Sequence, residues 1–272
     1  MKTRFLSLLM IPALLLVACK GQKIGEDKAK EIANKIAENT SSLDGAGFEM
    51  KLTMKSTEGK GSERKESDLS YVLTQDKDEN IKFKMKGNEG EEKYDFVIYQ
   101  VKNETYEEVS YIKEYNVETK EYTERVYTKA TDDDYSSQTS AYTINALAPV
   151  FIIANLADPV KLMESDDFME GESEEDGLTF NTKVNYYSTG EKNLTIEAER
   201  KYVKGEIAAD DEVATEAKYT ITYDNLIFKK AVITGKSNLG NNTSINASLD
   251  LKKVNIELPS GWEKLVNKQL LI

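Results

Sequence analysis

Cys19 is the only thiol in the 272-residue chain, and the chain contains no histidine. A Ser-His-Asp or Cys-His nucleophile pair is therefore excluded, and so are the ligands that structural and catalytic zinc sites most often use. The 48 acidic side chains leave carboxylate chemistry formally open, but no pair of them stands in an apolar setting that would divide acid from base. A calcium loop can be tested in the acidic stretch Ser165–Gly177. Counted from Asp166, Gly171 fits the sixth position, whereas Phe168 falls on the third and Gly177 on the twelfth, where a ligand and a bidentate glutamate are needed. The match fails, and the stretch reads as a solvated acidic loop. The chain also has no glycine-rich phosphate loop and no nucleophile elbow, so neither an enzyme nor a cofactor is expected.

What remains is the chemistry of Cys19 itself. Lys2 and Arg4 give a basic start, Phe5 to Val17 an apolar run, and Val17-Ala18 a small-residue approach to a cut, the pattern of an export signal. The thirteen residues from Phe5 to Val17 make roughly 20 Å of helix. That is too short for a hydrocarbon core of about 30 Å, so the run is not a permanent span. The tetrapeptide Leu16-Val17-Ala18-Cys19 resembles the lipobox of bacterial lipoproteins. That resemblance implies a signal peptide over residues 1–18, acylation of the Cys19 sulfur, and a mature protein held on the extracytoplasmic face of a cell membrane. Lys20 is not the acidic residue associated with inner-membrane retention. Residues 19–25 then form a short lipidated tether, and residues 26–272 a single domain.

Charge narrows the partners. The full sequence carries a net charge of −12, and loss of residues 1–18 removes two cations and no acid. Such a surface repels nucleic acid and anionic head groups alike. The Asn-X-Ser/Thr triplets beginning at Asn103, Asn193, Asn241 and Asn242 are chance matches behind a bacterial signal.

Periodicity supplies the elements. Ala29, Ile32, Ala33, Ile36 and Ala37 make one apolar stripe of a helix over Glu26–Thr40, with a mixed-charge outer face suited to docking on the protein's own sheet. From Gly47 the period becomes 2: Phe48, Met50, Leu52 and Met54 alternate with polar residues. Leu69, Tyr71 and Leu73, then Ile81, Phe83 and Met85, repeat the device. Strands follow over Lys93–Val101, Tyr106–Tyr115 and Glu121–Lys129. After Asp132-Asp133-Asp134 comes the most apolar stretch, Ala146–Ala157, in which Asn155 is the one polar residue; it predicts a buried or cavity-facing helix from about Ala141. Pro149 kinks that helix or marks its first turn. Asp158-Pro159 reads as N-cap and first position of a second short helix through Met163.

Period 2 resumes over Leu178–Tyr187, Asn193–Val203, Glu212–Tyr223, Asn225–Lys236 and Ser244–Lys253, with Tyr223-Asp224-Asn225-Leu226 as a compact hairpin. Val254–Leu258 predicts a last short strand, and Trp262 a ring over the sheet edge. The fold class is α+β: a strongly curved antiparallel sheet of about 10–11 strands, a half-open barrel, wrapped over the N-terminal helix and the central apolar helical pair.

This element order, with the closing run Ser248-Leu249-Asp250-Leu251-Lys252-Lys253-Val254-Asn255-Ile256-Glu257-Leu258-Pro259, resembles the LolA-like superfamily of lipoprotein and lipid carriers, including LppX- and LprG-like lipoproteins. The resemblance implies an apolar cavity between sheet and helices. Met50, Met54, Phe83 and Met85 on the sheet and Phe151, Ile152, Ile153 and Leu156 on the helix are the cavity candidates, and a lipid or other amphiphile the ligand. The competing reading is a surface module with a solid core that engages another protein, for which Tyr111, Tyr115, Tyr122 and Tyr127 are the exposed aromatics.

Overall fold

The structure is a computed structural model of the chain. It describes residues 21–39, 46–59, 65–132, 134–208 and 211–269. Cys19 and the segment before it lie outside the described residues.

One 13-stranded antiparallel sheet, curved and unclosed, organises the molecule. The chain enters it through β1 (Gln22–Ile24), follows with helix α1 (Glu26–Asn39), and then lays down six strands: β2 (Phe48–Glu58), β3 (Lys65–Gln75), β4 (Ile81–Glu89), β5 (Glu92–Asn103), β6 (Glu107–Asn116) and β7 (Glu121–Thr128). Two helices intervene, α2 (Tyr135–Ala157) and α3 (Pro159–Met163), then a 3-10 turn (Asp166–Phe168). The second set of strands is β8 (Gly171–Glu175), β9 (Leu178–Ser188), β10 (Leu194–Lys204), β11 (Ala214–Asp224), β12 (Ile227–Ser237) and β13 (Asn242–Leu251), before the C-terminal helix α4 (Glu263–Gln269).

The spatial order is β1, β9 to β13, then β2 to β7, with β8 also on β9. Each set is a hairpin meander, and the two sets meet where β13 pairs with β2, Leu249 opposite Met50 and Ala247 opposite Leu52. The last strand of the first set, β7, therefore stands at the edge far from β8 and β9. The connection between them has to cross the sheet, and α2 and α3 are that crossing. Alternation along each strand turns one row inward, so Leu52, Tyr71, Met85 and Phe96 lie side by side across β2 to β5 on the concave face. With α1 and α2 packed over it, this face forms the main core.

α1 buries Ala29, Ile32, Ala33 and Ile36, four members of the expected stripe, with Ala37 half-buried beside them. α2 starts at Tyr135 rather than Ala141 and continues through Pro149. Its polar first turns are helical because Tyr135 and Thr139 are buried against the sheet, a contact that periodicity cannot show. α3 is capped as expected, the Asp158 carboxylate accepting the N–H groups of Val160 and Lys161 at 3.2 Å, with Pro159 in the first turn.

Three expectations are corrected. The sheet has 13 strands, not 10–11, because the three-residue β1 and the acidic β8 pair with β9. The acidic stretch is accordingly not one solvated loop: Phe168 is buried, and Gly171–Glu175 is an edge strand. Val254–Leu258 joins no ladder. That segment leaves the sheet past Gly47, where a Cβ would meet the Lys252 carbonyl oxygen at 2.4 Å, and crosses to the opposite face of the sheet. There Val266 of α4 packs with Val109, Tyr111 and Val126, and Trp262 lies edge-on to Tyr106, ring centres 5.9 Å apart.

β1 pairs Gln22 with Ser188, so the N-terminal segment meets the sheet at the end of β9. Gly21, at φ 82, lies so close to that strand that a Cβ would come within 2.5 Å of the Ser188 carbonyl oxygen.

Candidate ligand-binding face

Seven of the eight cavity candidates meet in one cluster. Phe83 is wholly buried (0 % exposed) and Met85 nearly so, with Ile153 and Leu156 of α2 buried above the sheet; Met50, Met54 and Ile152 are half-buried at its margin. Aromatic rings connect sheet to helix. Tyr71 stacks on Phe83 at 6.3 Å, Phe83 contacts Phe96 at 5.8 Å, and Phe96 meets Tyr142 of α2 edge-on at 5.4 Å.

Phe151 is placed differently: it is 63 % exposed. Leu147, one turn earlier on α2, is exposed as well, and Ala154 follows on the same side. α2 therefore buries Ile153 and Leu156 while Leu147, Phe151 and Ala154 leave an uncharged, largely apolar strip on the outward side of its C-terminal half, next to the exposed Asn155; the exposed residues of its first turns, Ser136, Ser137, Gln138 and Ser140, are polar. An ordinary helix on a sheet shows charge on that side.

Buried hydroxyls fasten α2 at both ends. The Tyr135 hydroxyl donates to Glu108 Oε1 at 2.6 Å and lies 2.6 Å from Ser110 Oγ, which is left to donate in return. Tyr142 donates to Glu114 Oε2 at 2.7 Å. Near the other end, the Tyr223 hydroxyl donates to the Leu156 carbonyl oxygen at 2.6 Å. Burial, reinforced by the Glu114 carboxylate, pushes the Tyr142 phenol up to about 12; burial and Glu108 raise that of Tyr135, and burial that of Tyr223. These phenols are proton donors held neutral. Sequence reasoning missed them, since a tyrosine that anchors a helix and one that fills a strand look alike in the chain.

The far edge of the concave face holds a second polar group. Arg200 of β10 bonds Asp167 Oδ1 through Nη1 at 3.1 Å and Glu175 Oε2 through Nη2 at 2.6 Å, with its guanidinium 4.0 Å from the centre of the Phe180 ring. The Tyr219 hydroxyl donates to Asp167 Oδ2 at 2.9 Å, and burial, then Asp167, raises its phenol. Among the described residues, no group of three or more carboxylates is placed to hold a metal ion.

The tyrosines named for a protein interface divide. Only Tyr122 is exposed, and its hydroxyl is bonded to Asp95 at 2.9 Å; Tyr111 is buried at 4 % exposure, and Tyr115 and Tyr127 are half-buried. Tyr111 lies in the small core under α4, and Tyr127 packs against the main one.

No family model matches the sequence, and no curated protein matches it significantly. Among solved structures, the chain is similar to a protein described as an outer membrane lipoprotein-sorting domain from Vibrio parahaemolyticus, at 12% identity, over 89% of this chain and 99% of that one, with a TM-score of 0.24. It is similar to a LolA superfamily protein from Nitrosomonas europaea at 12% identity, over 85% and 94% of the two chains, with a TM-score of 0.27. The corresponding values for LprF from Mycobacterium bovis are 10% identity, 85% and 97%, and 0.26.

Proposed function

We propose that this protein is a lipoprotein, anchored by acyl chains on Cys19 to the extracytoplasmic face of a cell membrane, whose domain binds a lipid or other amphiphile against the concave face of its sheet. The observation that carries this reading is α2: Ile153 and Leu156 are buried, while Leu147 and Phe151 on the other side are exposed. A helix that only completes a core has no use for a leucine and a phenylalanine one turn apart on its outer side, which cost solubility. One that closes over an acyl chain, or passes it inward, does.

Met50, Met54 and Ile152 form the adaptable margin, since each is half-buried and methionine repacks readily. Phe83, Met85, Ile153 and Leu156 form the floor and inner wall, and Phe151 the mouth. The tether fits such a role. β1 begins at Gln22, so few residues separate Cys19 from the sheet, and the binding face stays within reach of the bilayer. Two acyl chains suffice for lasting attachment, each buried methylene contributing about 0.8 kcal/mol.

Native mass spectrometry of the untagged full chain carrying Cys19→Ala tests the proposal. The expected result is a copurifying lipid mass that denaturation releases, together with saturable uptake of a fluorescent fatty acid. Absence of both would leave the solid-core interaction module as the better account.

A further inference from the structure

Three buried polar atoms have no hydrogen-bond partner among the described residues: Ser173 Oγ, Thr182 Oγ1 and Arg200 Nε. They are not scattered. Thr182 stands directly opposite Arg200 across β9 and β10, and on the other side of β9 it stands opposite Gly171 of β8, two residues before Ser173. Pairs directly opposite in a sheet bring their Cβ atoms to about 4.5–5.5 Å, and all three side chains occupy the concave row of their strands. Thr182 is 1 % exposed and the Arg200 side chain 15 %. Beside them the space around Gly171 is open: a Cβ built there meets nothing within 4 Å.

Buried polar atoms in native proteins are almost always paired, and each unpaired one is a cost to the fold. Three on adjacent strands β8, β9 and β10, with Ser173 opposite Phe180 and Thr182 opposite Arg200, mark a stretch of the sheet edge where oxygens belong. Arg200 Nε can only donate, while the two hydroxyls donate or accept, so the missing group is a hydrogen-bond acceptor with room for a hydroxyl of its own. Its charge is also constrained. The other guanidinium nitrogens already serve Asp167 and Glu175, which leaves two carboxylates against one cation. An anion would be repelled there and a neutral oxygen would not.

We infer that Ser173, Thr182 and Arg200 form a polar subsite at the edge of the concave face, which holds the neutral, oxygen-bearing head of an amphiphile, an ester or hydroxyl group of the kind an acylglycerol carries. This rests on the reading of that face as an amphiphile site and adds a preference to it. The Phe180 ring beneath the guanidinium and the Phe168–Tyr219 pair, ring centres 4.9 Å apart, exclude water from its flanks. Acyl chains extend from it along the apolar rows of β9 to β12.

The test uses the full chain with Cys19→Ala and three pyrene-labelled probes of equal chain length: a monoacylglycerol, a fatty acid and an alkane. The wild-type sequence is expected to bind the glycerol ester about tenfold more tightly than the alkane, and the fatty-acid anion less tightly than the ester. T182V and S173A should bring the ester to within about twofold of the alkane and leave alkane binding unchanged. Both variants keep the Arg200 ion pairs, and melting temperatures at or above that of wild type are expected, because an unpaired hydroxyl is removed. A preference that survives in both variants overturns the subsite, as does equal binding of ester and alkane, which would mean that the position holds only an ordered water. Binding of no probe at all sinks the amphiphile reading itself, so the two failures are separable.

Discussion

The carboxylate of Asp76, in the turn between β3 and β4, accepts the backbone N–H of Ile256 at 3.0 Å across 180 residues of chain. The same carboxylate accepts the N–H groups of Asp78 and Asn80 at 2.9 and 3.0 Å and the Asn80 amide at 3.0 Å, and it is 1 % exposed. Asn80 Oδ1 in turn accepts the N–H of Lys102 in β5. One side chain thus pins the C-terminal segment to the sheet and shapes the turn it belongs to. Asp76→Ala is expected to cost about 2–4 kcal/mol, because it strands several buried donors. Urea denaturation measures it.

Acid should reveal the same contact. Burial pushes the Asp76 carboxyl up, but the donors of Asn80, Ile256 and Asp78 outweigh it, and the group titrates below its ordinary value. A carboxyl whose pKa is lowered by folding contributes stability above its unfolded pKa and loses it as pH falls through the folded one. Wild type should lose stability in that acid window more steeply than Asp76→Ala, as stability curves taken from neutral pH downward would show. Parallel curves would contradict the assignment.

Phe83 and Phe151 make a paired test of floor and mouth. Phe83→Ala empties a wholly buried site and should cost about 3–5 kcal/mol. Phe151→Ser removes an exposed ring and should leave stability within about 0.5 kcal/mol while weakening fatty-acid uptake roughly tenfold. Equal uptake by Phe151→Ser and wild type would remove α2's outer face from the binding account.

Tyr223→Phe deletes only the hydroxyl that meets the Leu156 carbonyl, within the last turn of α2. The loss should be about 1–2 kcal/mol, with hydrogen exchange accelerated in α2 and unchanged in β2 to β4.

For the anchor, Cys19→Ala should shift the protein from the membrane fraction to the soluble one and abolish incorporation of labelled palmitate. Retention in the membrane fraction would point to another means of attachment.

The strands were legible wherever burial on one face imposed alternation. Phe48, Met50, Leu52 and Met54 announce β2 because every second residue must face the core, and the same logic exposed the α1 stripe. β8 was not legible: Gly171-Glu172-Ser173-Glu174-Glu175 contains no apolar residue, and it is a strand because β9 offers it a free edge. Val254, Ile256 and Leu258 alternate as well as any strand, yet the neighbouring edge is taken by β2, so the segment stays out of the ladder and the N–H of Ile256 goes to Asp76 instead. The apolar floor of the candidate site followed from pattern. The tyrosine anchors of α2 and the polar trio around Thr182 depend on register, which pairs residues that no local rule connects.

The seam between β13 and β2 carries a kinetic consequence. The first meander, β2 to β7, can pair hairpin by hairpin from residues 48–128, but the middle of the sheet joins one of its first strands to its last, so the two meanders cannot be joined until nearly the whole chain is present. Contacts of such long sequence separation form slowly, and the unpaired edge of β2 stays open meanwhile. In a chain arranged in this way the concave face, which needs both meanders side by side, comes together only when the last strand is in place.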